Sequence, residues 1–210
     1  ASQLAGLRPV IEQLSASNIL VSVETYSAAV SAGALACGAK ILNLTGTRQA
    51  ETIYGLAAER EAAVIICYVE AEDVRSAGDF ELSADPIPKM ERYFTQQLNL
   101  ATRSGVTRIF LDPGLGFYYR NLQDSAVRLR HQITTFLNTF RLRKLGFPIC
   151  HALPHAFEYF GEEVRTAEAV FAVLASIGRT DLFRTHEVGK VKAVLDLLAV
   201  IDPSDGDQSR

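Results

Sequence analysis

Polar and ionisable residues follow the apolar segments of this sequence at regular intervals. The apolar segments span 19–23, 40–44, 63–68, 107–111, 147–152 and 181–184. The polar residues that stand in or shortly after five of these segments are Glu24, Asn43, Asp112, His155, Arg184 and His186. Carboxylate, amide, guanidinium and imidazole groups recognise polar ligands through hydrogen bonds. Their repeated placement predicts one ligand site assembled from several distant segments.

Helices must separate these segments for the polar residues to meet. Helical patterns cover 27–37, 48–61, 85–104, 124–144, 162–177 and 186–201, after a lone helix at 4–14. Near-continuous apolar strands that alternate with helices indicate a parallel α/β sheet of six βα units. Ligands bind beyond the carboxyl ends of the strands in such folds. Six units are compatible with an open doubly wound sheet and with a (β/α) barrel, which closes with eight strands.

Each candidate residue also has a purely structural interpretation. Glu24 could be a favourable charge at a helix start, and Asn43 could satisfy a neighbouring loop. The turn that begins at Asp112 could exist for its Pro and Gly dihedral angles alone. His151 is expected to be a core histidine.

Gly178, like Gly38, Gly105 and Gly146, stands between a predicted helix and the next strand. The residue after a helix often has positive φ, which glycine adopts readily, so we expect positive φ at these four positions.

Composition excludes several classes of protein. The 210 residues are 48% hydrophobic and 21% charged, which is typical of a globular domain. A net charge of -3 gives no reason to expect a nucleic-acid partner. No apolar run reaches the roughly 18 residues of a membrane span, and no signal peptide is evident. The three cysteines are far apart and odd in number, so we expect free thiols and a cytoplasmic location.

Metal and nucleotide motifs are not supported by the sequence. His151 and His155 have the spacing of two ligands on a helix face, but Pro154 argues against a helix there. No third ligand lies near them in the sequence, so we expect no metal site. The glycine-rich loops that hold nucleotide phosphates are also missing.

Five motifs, in order along the chain, resemble those of one enzyme family. They are Val-Ser-Val-Glu-Thr-Tyr at 21–26, Gly-Ala-Lys-Ile-Leu-Asn at 38–43, Asp-Pro-Gly-Leu-Gly-Phe at 112–117, Leu-Gly-Phe-Pro at 145–148 and Arg-Thr-His-Glu-Val at 184–188. With these motifs the sequence resembles the dihydropteroate synthases of the pterin-binding (β/α)8 superfamily over about 7–202. The resemblance implies an incomplete TIM-type barrel of six βα units that lacks the family's first two strands.

The resemblance also implies roles for individual residues. Asn43 and Asp112 match residues that bind the amino-pyrimidine edge of the pterin, and Glu24 replaces the family's aspartate there. Arg184 matches an arginine that packs on the pterin face. His186 matches a histidine near the anion-binding region, and His155 stands where the family has a lysine. The residues expected to be catalytic are Asp112, Arg184, His186 and His155.

The function implied is that of a pterin-binding domain of folate metabolism at 1–202, followed by a polar tail at 203–210. The expected ligand is a pterin or reduced folate, and no cofactor is required. Full condensation activity is not expected, because the family's first two strands carry its pyrophosphate site. Two alternatives remain: a non-catalytic barrel that binds a pterin, folate or protein, and a methyltetrahydrofolate–corrinoid methyltransferase. A homodimer, the N-terminal helix at 4–14 or a partner chain is expected to cover the open barrel edge.

Overall fold

The computed structural model describes residues 2–72, 78–116, 119–122 and 124–201, so Phe117 and the predicted tail lie outside the described residues. Strands and helices alternate along the chain, as the apolar pattern predicts. The strands are β1 (Ser22–Thr25), β2 (Ile41–Leu44), β3 (Ala63–Cys67), β4 (Ile109–Asp112), β5 (Cys150–Ala152) and β6 (Leu182–Arg184). The helices are α1 (Ser2–Ala16), α2 (Ala28–Ala36), α3 (Ala50–Glu59), α4 (Ile87–Arg103), α5 (Ser125–Asn138), α6 (Phe157–Phe160), α7 (Thr166–Ile177) and α8 (Val188–Ile201).

The strands form an incomplete parallel barrel, which confirms the predicted fold class. Strands β1 to β4 pair in chain order, and β5 pairs with β6. A parallel bridge between Leu111 and Ile149 joins β4 to the segment before β5. In the register, Glu24 stands beside Asn43, Cys67 beside Asp112, and Ala152 beside Arg184. The two members of each pair share a face of the sheet, and the pairs are offset along the strands, because Asn43 stands beside Ile65 and not beside Cys67. All three pairs lie near the carboxyl ends of their strands.

The first strand differs from its prediction. The apolar run at 19–23 predicted a strand there, but β1 is Ser22–Thr25, and Ile19 and Leu20 are exposed before it. Only Val23 and Thr25 of β1 are buried, because β1 lies at the edge of its sheet. An edge strand needs only alternate buried residues, so a continuous apolar run was a poor guide to its bounds.

Helices cover the outer face of the sheet. Tyr54 and Phe94, from α3 and α4, are fully buried in a cluster with Val64 and Ile66 of β3. Ile65 and Cys67 alternate with them and pack inside the barrel against Cys150. The alternation along one strand separates the outer core from the barrel interior. Within the described residues, no helix is long and apolar enough to cross a membrane.

Two helical predictions need correction. The pattern at 124–144 is α5 followed by a 3₁₀ segment, Thr139–Leu145. The pattern at 162–177 begins later, at α7, after the unpredicted short helix α6 and a 3₁₀ turn, Gly161–Glu163.

Gly178 ends α7 for a reason other than the predicted one. Gly38, Gly105 and Gly146 have positive φ, as expected, but the φ of Gly178 is -75°. A Cβ atom at this position would collide with the carbonyl oxygen of Phe136 on α5. Glycine therefore allows the end of α7 to approach the α5 backbone closely, and this contact helps to fix the position of α7.

Candidate functional site

A cavity of about 320 Å³ lies at the carboxyl ends of the strands. Five of the six polar residues singled out in the sequence line it: Glu24, Asp112, His155, Arg184 and His186. Asn43 does not line the cavity, but its side chain is hydrogen-bonded to Glu24, which does. The apolar part of the wall includes Leu115 and Leu153. The cavity therefore combines a polar edge with an apolar wall, as small-molecule sites commonly do.

Asp112 is the buried anchor of the polar edge. Its side chain is 1% exposed; Oδ1 accepts a hydrogen bond of 2.8 Å from the Gly114 amide, and Oδ2 accepts one of 3.0 Å from Arg184 Nη1. Burial raises the pKa of Asp112, although the Arg184 guanidinium opposes this shift. The side chain is thus a carboxylate whose charge depends on a nearby cation.

Arg184 joins Asp112 to a second carboxylate. Its Nη2 donates a hydrogen bond of 3.2 Å to Glu24 Oε2. Asn43 Nδ2 donates to the same oxygen, also at 3.2 Å. Glu24, Asn43, Asp112 and Arg184, which we call the strand-end quartet, come from β1, β2, β4 and β6. The four side chains therefore form one hydrogen-bonded chain across the barrel mouth.

The thiol of Cys67, in the barrel interior, orients the side chain of Asn43. Cys67 Sγ donates a hydrogen bond of 2.9 Å to Asn43 Oδ1. Burial raises the pKa of Cys67 well above its ordinary value, so the thiol stays protonated and can donate. The bond directs the amide nitrogen of Asn43 toward Glu24.

A second polar group lies at the other side of the cavity, around a residue that the sequence analysis missed. Glu168, in the first turn of α7, has a side chain that is 0% exposed. Its Oε1 lies 3.1 Å from His155 Nε2 and 3.0 Å from His186 Nδ1. We call His155, Glu168 and His186 the triad. Because Glu168 joins them, the two histidines that line the cavity act as one unit.

The second oxygen of Glu168 is held by other donors. Oε2 accepts hydrogen bonds from the Thr185 hydroxyl and, at 2.8 Å, from the His186 amide. Burial alone would raise the pKa of Glu168, but these bonds and those from the two imidazoles lower it to about 2. The carboxylate is therefore ionised, and the imidazole nitrogens that face it carry protons.

A signal for Glu168 was present in the sequence. It is the one charged residue of α7, whose other residues are mainly Ala, Val and Leu. It also shares the buried face of that helix with Phe171, Ala172 and Ala175. A single charge on the apolar face of a helix indicates a buried partner, here the two histidines.

His151 occupies the core, in keeping with its structural interpretation. It is fully buried, its Nε2 lies 3.0 Å from the Thr139 hydroxyl, and its ring contacts Phe136. Burial lowers the pKa of His151 to about 3, so the imidazole is neutral. It does not contribute to the lining of the cavity described above.

The sequence is similar to pterin-binding enzymes and to dihydropteroate synthases. The family model described as "Pterin binding enzyme" matches residues 1–153. A probable bifunctional folylpolyglutamate synthase/dihydropteroate synthase of Haloferax volcanii is 33% identical over 212 residues, or 96% of this chain and 24% of that protein. The dihydropteroate synthase type-2 of Escherichia coli is 24% identical over 203 residues, or 95% of this chain and 74% of that protein.

The fold is similar to that of solved dihydropteroate synthases. The crystal structure of Thermus thermophilus dihydropteroate synthase in complex with 6HMPPP superimposes with a TM-score of 0.77 at 22% identity, covering 95% of this chain and 78% of that one. The chain spans about a quarter of the length of the Haloferax relative.

Proposed function

Because the chain belongs to the pterin binding enzyme family, we propose that its strand-end quartet binds the amino-pyrimidine edge of a pterin, as part of a dihydropteroate synthase-like protein of folate metabolism. One observation carries this proposal: at the mouth of a cavity an arginine joins two carboxylates from separate strands, and an amide donates a hydrogen bond to one of them.

The donors and acceptors of the quartet suit that ring. The pterin edge presents an amino group beside a ring N–H, and a carboxylate can accept both hydrogen bonds as a bidentate pair. Asp112 lines the cavity, which supports this role. Glu24 offers a second acceptor, and Asn43 fixes the position of Glu24. The carboxylates of the quartet thus supply hydrogen-bond acceptors, and an uncharged aromatic ring with several N–H groups can donate to them.

Arg184 would move away from Asp112 when the ligand binds. Its guanidinium holds the carboxylate oxygen that the pterin would use. The Arg184 side chain is 34% exposed, so it has room to move toward the cavity. A guanidinium plane stacks well on an aromatic ring. Arg184 would then exchange a salt bridge for a stacking contact on the pterin face.

The ligand class is a pterin or a reduced folate, and its binding at the quartet requires no cofactor. The Thermus relative was crystallised with 6HMPPP, which supports a pterin ligand for this chain too. The three cysteines are free thiols, which is compatible with the reducing cytoplasm. A second copy or a partner chain would cover the exposed Ile19 and Leu20 beside the edge strand β1.

A calorimetric titration with 6-hydroxymethylpterin tests the proposal. Asp112→Asn replaces one acceptor by a donor and mispairs buried groups, which costs about 1–3 kcal/mol, or about a 5- to 150-fold loss of affinity. Glu24→Gln, at a half-exposed position, should weaken binding less and serves as a second variant that folds readily. Asp196→Asn, on the exposed face of α8, is the matched control and should bind like wild type.

The titration has outcomes that contradict the proposal. Wild-type protein that is folded and releases no heat with the pterin would remove the quartet as a pterin site. Equal affinity of wild type and both quartet variants would place the ligand elsewhere. A parallel titration with tetrahydrofolate distinguishes a reduced folate from a simple pterin.

A further inference from the structure

We propose that the triad binds a divalent transition-metal ion of the zinc class at the rim of the cavity, through His155 Nε2, Glu168 Oε1 and His186 Nδ1. The sequence predicted no metal site. The three residues come from a loop, a helix and a second loop, so their spacing in the sequence does not reveal the site.

The ligand atoms already have the spacing of a metal site. Both imidazole nitrogens lie 3.0–3.1 Å from Glu168 Oε1. All three atoms lie within 4.8 Å of one another. Ligands that surround a tetrahedral zinc ion at about 2.0–2.2 Å stand about 3.3–3.6 Å apart. A small rotation of the histidine rings would therefore admit the ion between them, provided that the proton on each ligating nitrogen moves to the other nitrogen of its ring or to solvent.

The chemistry of the donors selects the kind of metal. Two imidazoles and one carboxylate form a set that suits zinc, cobalt, nickel or copper. Magnesium and calcium prefer oxygen ligands and would bind poorly here. Glu168 supplies the negative charge that the ion needs, because the other charged side chains of the cavity lining, Glu24 and Asp112 against Arg128 and Arg184, balance one another.

Hydrogen bonds from neighbouring groups hold the Glu168 carboxylate in one orientation, as such bonds do for the ligands of known metal sites. Thr185 and the His186 amide hold Oε2 and leave Oε1 directed at the two imidazoles. Such hydrogen bonds orient metal ligands and commonly change affinity about 10- to 100-fold. The orientation of Glu168 is thus set before a metal arrives.

The remaining coordination position would face the cavity. His155 and His186 both line the cavity, while Glu168 is buried behind them. Three protein ligands and one open position are the arrangement of zinc sites that bind a water or a ligand oxygen. The metal would therefore contact a molecule that occupies the same cavity as the quartet.

Titration of the chelator-treated full chain with Zn²⁺, and separately with Co²⁺, tests this inference without any pterin. We expect one equivalent to bind, and we expect the Co²⁺ complex to show the absorption spectrum of a four-coordinate ion. His186→Ala removes a ligand whose side chain is 61% exposed, so the variant should fold. It should lose at least about tenfold in affinity.

Further variants separate the triad from other metal ligands. Glu187→Gln changes the neighbouring carboxylate, which pairs with Arg165 and Lys190, and should bind Zn²⁺ like wild type. Cys37→Ser removes the half-buried thiol and should also leave affinity unchanged. Thr185→Val should weaken binding about 10- to 100-fold, and Thr185→Ser should restore it.

Two results would overturn the proposal. One is the absence of a stoichiometric binding event in folded wild-type protein. The other is equal Zn²⁺ affinity in wild type and His186→Ala, which would leave the triad as a network that only positions its histidines. Asp112→Asn should keep its Zn²⁺ affinity, so failure of the pterin site and failure of the metal site can be told apart.

Discussion

The two polar groups that share the cavity are built on opposite principles. In the quartet, two carboxylates depend on one guanidinium, and all four side chains lie near the carboxyl ends of strands. In the triad, one carboxylate receives hydrogen bonds from a hydroxyl, a backbone amide and two imidazoles. The quartet is short of positive charge, whereas the triad has an excess of donors. Loss of Arg184 should therefore damage the quartet more than loss of any one donor damages the triad.

The largest expected effect comes from Arg184→Met. The variant leaves Asp112 buried without its cation, and removing one partner of a buried pair costs about 3–5 kcal/mol. The expected loss of stability is near the lower end of this range, because Arg184 is partly exposed and the Gly114 amide still donates a hydrogen bond to Asp112. Urea unfolding at pH 7 measures it. Arg141→Met, which breaks an exposed pair with Asp85, is the matched control and should cost much less.

The same variant should show a characteristic dependence on pH. Burial raises the pKa of Asp112 in the folded state, and the loss of Arg184 raises it further. The folded variant then binds more protons than the unfolded chain, so its free energy of unfolding increases as the pH falls from 7. The difference in free energy of unfolding between the variant and wild type should therefore be smaller at about pH 5 than at about pH 7. Both pH values lie above the ordinary pKa of a carboxyl group. A deficit that is constant or grows on acidification would mean that Asp112 is not the group left unpaired.

A smaller effect is expected in the triad. Glu168→Gln keeps an oxygen that can accept hydrogen bonds from Thr185 and the His186 amide, but it directs an amide at the imidazoles. The expected loss of stability is about 1–3 kcal/mol, measured by urea unfolding of metal-free protein. Glu187→Gln is the matched control, with little change expected. A larger loss in Glu168→Gln than in Arg184→Met would reverse the comparison between the two groups.

The sequence predicted the quartet because its members follow simple rules of strand geometry. Each stands in or just beyond an apolar segment, and the carboxyl ends of parallel strands meet at one rim. The register that places Glu24 beside Asn43 is a property of strand pairing, which the order of the segments implies. The bounds of β1 were less predictable, because Ile19 and Leu20 extend the apolar run without being buried.

The triad could not be assembled from the sequence in the same way. His155 and His186 lie 31 positions apart by their numbers, and each follows a different strand of the β5–β6 pair. Glu168 approaches them from a helix, where a residue's direction depends on how that helix packs against the barrel. The close contact of Gly178 with α5 is part of this packing. Tertiary contacts of this kind decide which side chains meet, and local patterns do not record them.

The smallest expected effect concerns the link between the quartet and the barrel interior. Cys67→Ala removes the donor to Asn43 Oδ1, so the buried carboxamide can turn and its amide nitrogen is no longer directed at Glu24. We expect a loss of about 1 kcal/mol in stability and, if the quartet binds the ligand, a few-fold weaker affinity for 6-hydroxymethylpterin. Cys67→Ser keeps a hydroxyl donor at the same place and should bind more tightly than Cys67→Ala, as calorimetry can measure. If both variants bind the pterin like wild type, the hydrogen bond to Glu24 is enough to orient Asn43, and the quartet does not depend on the thiol in the barrel interior.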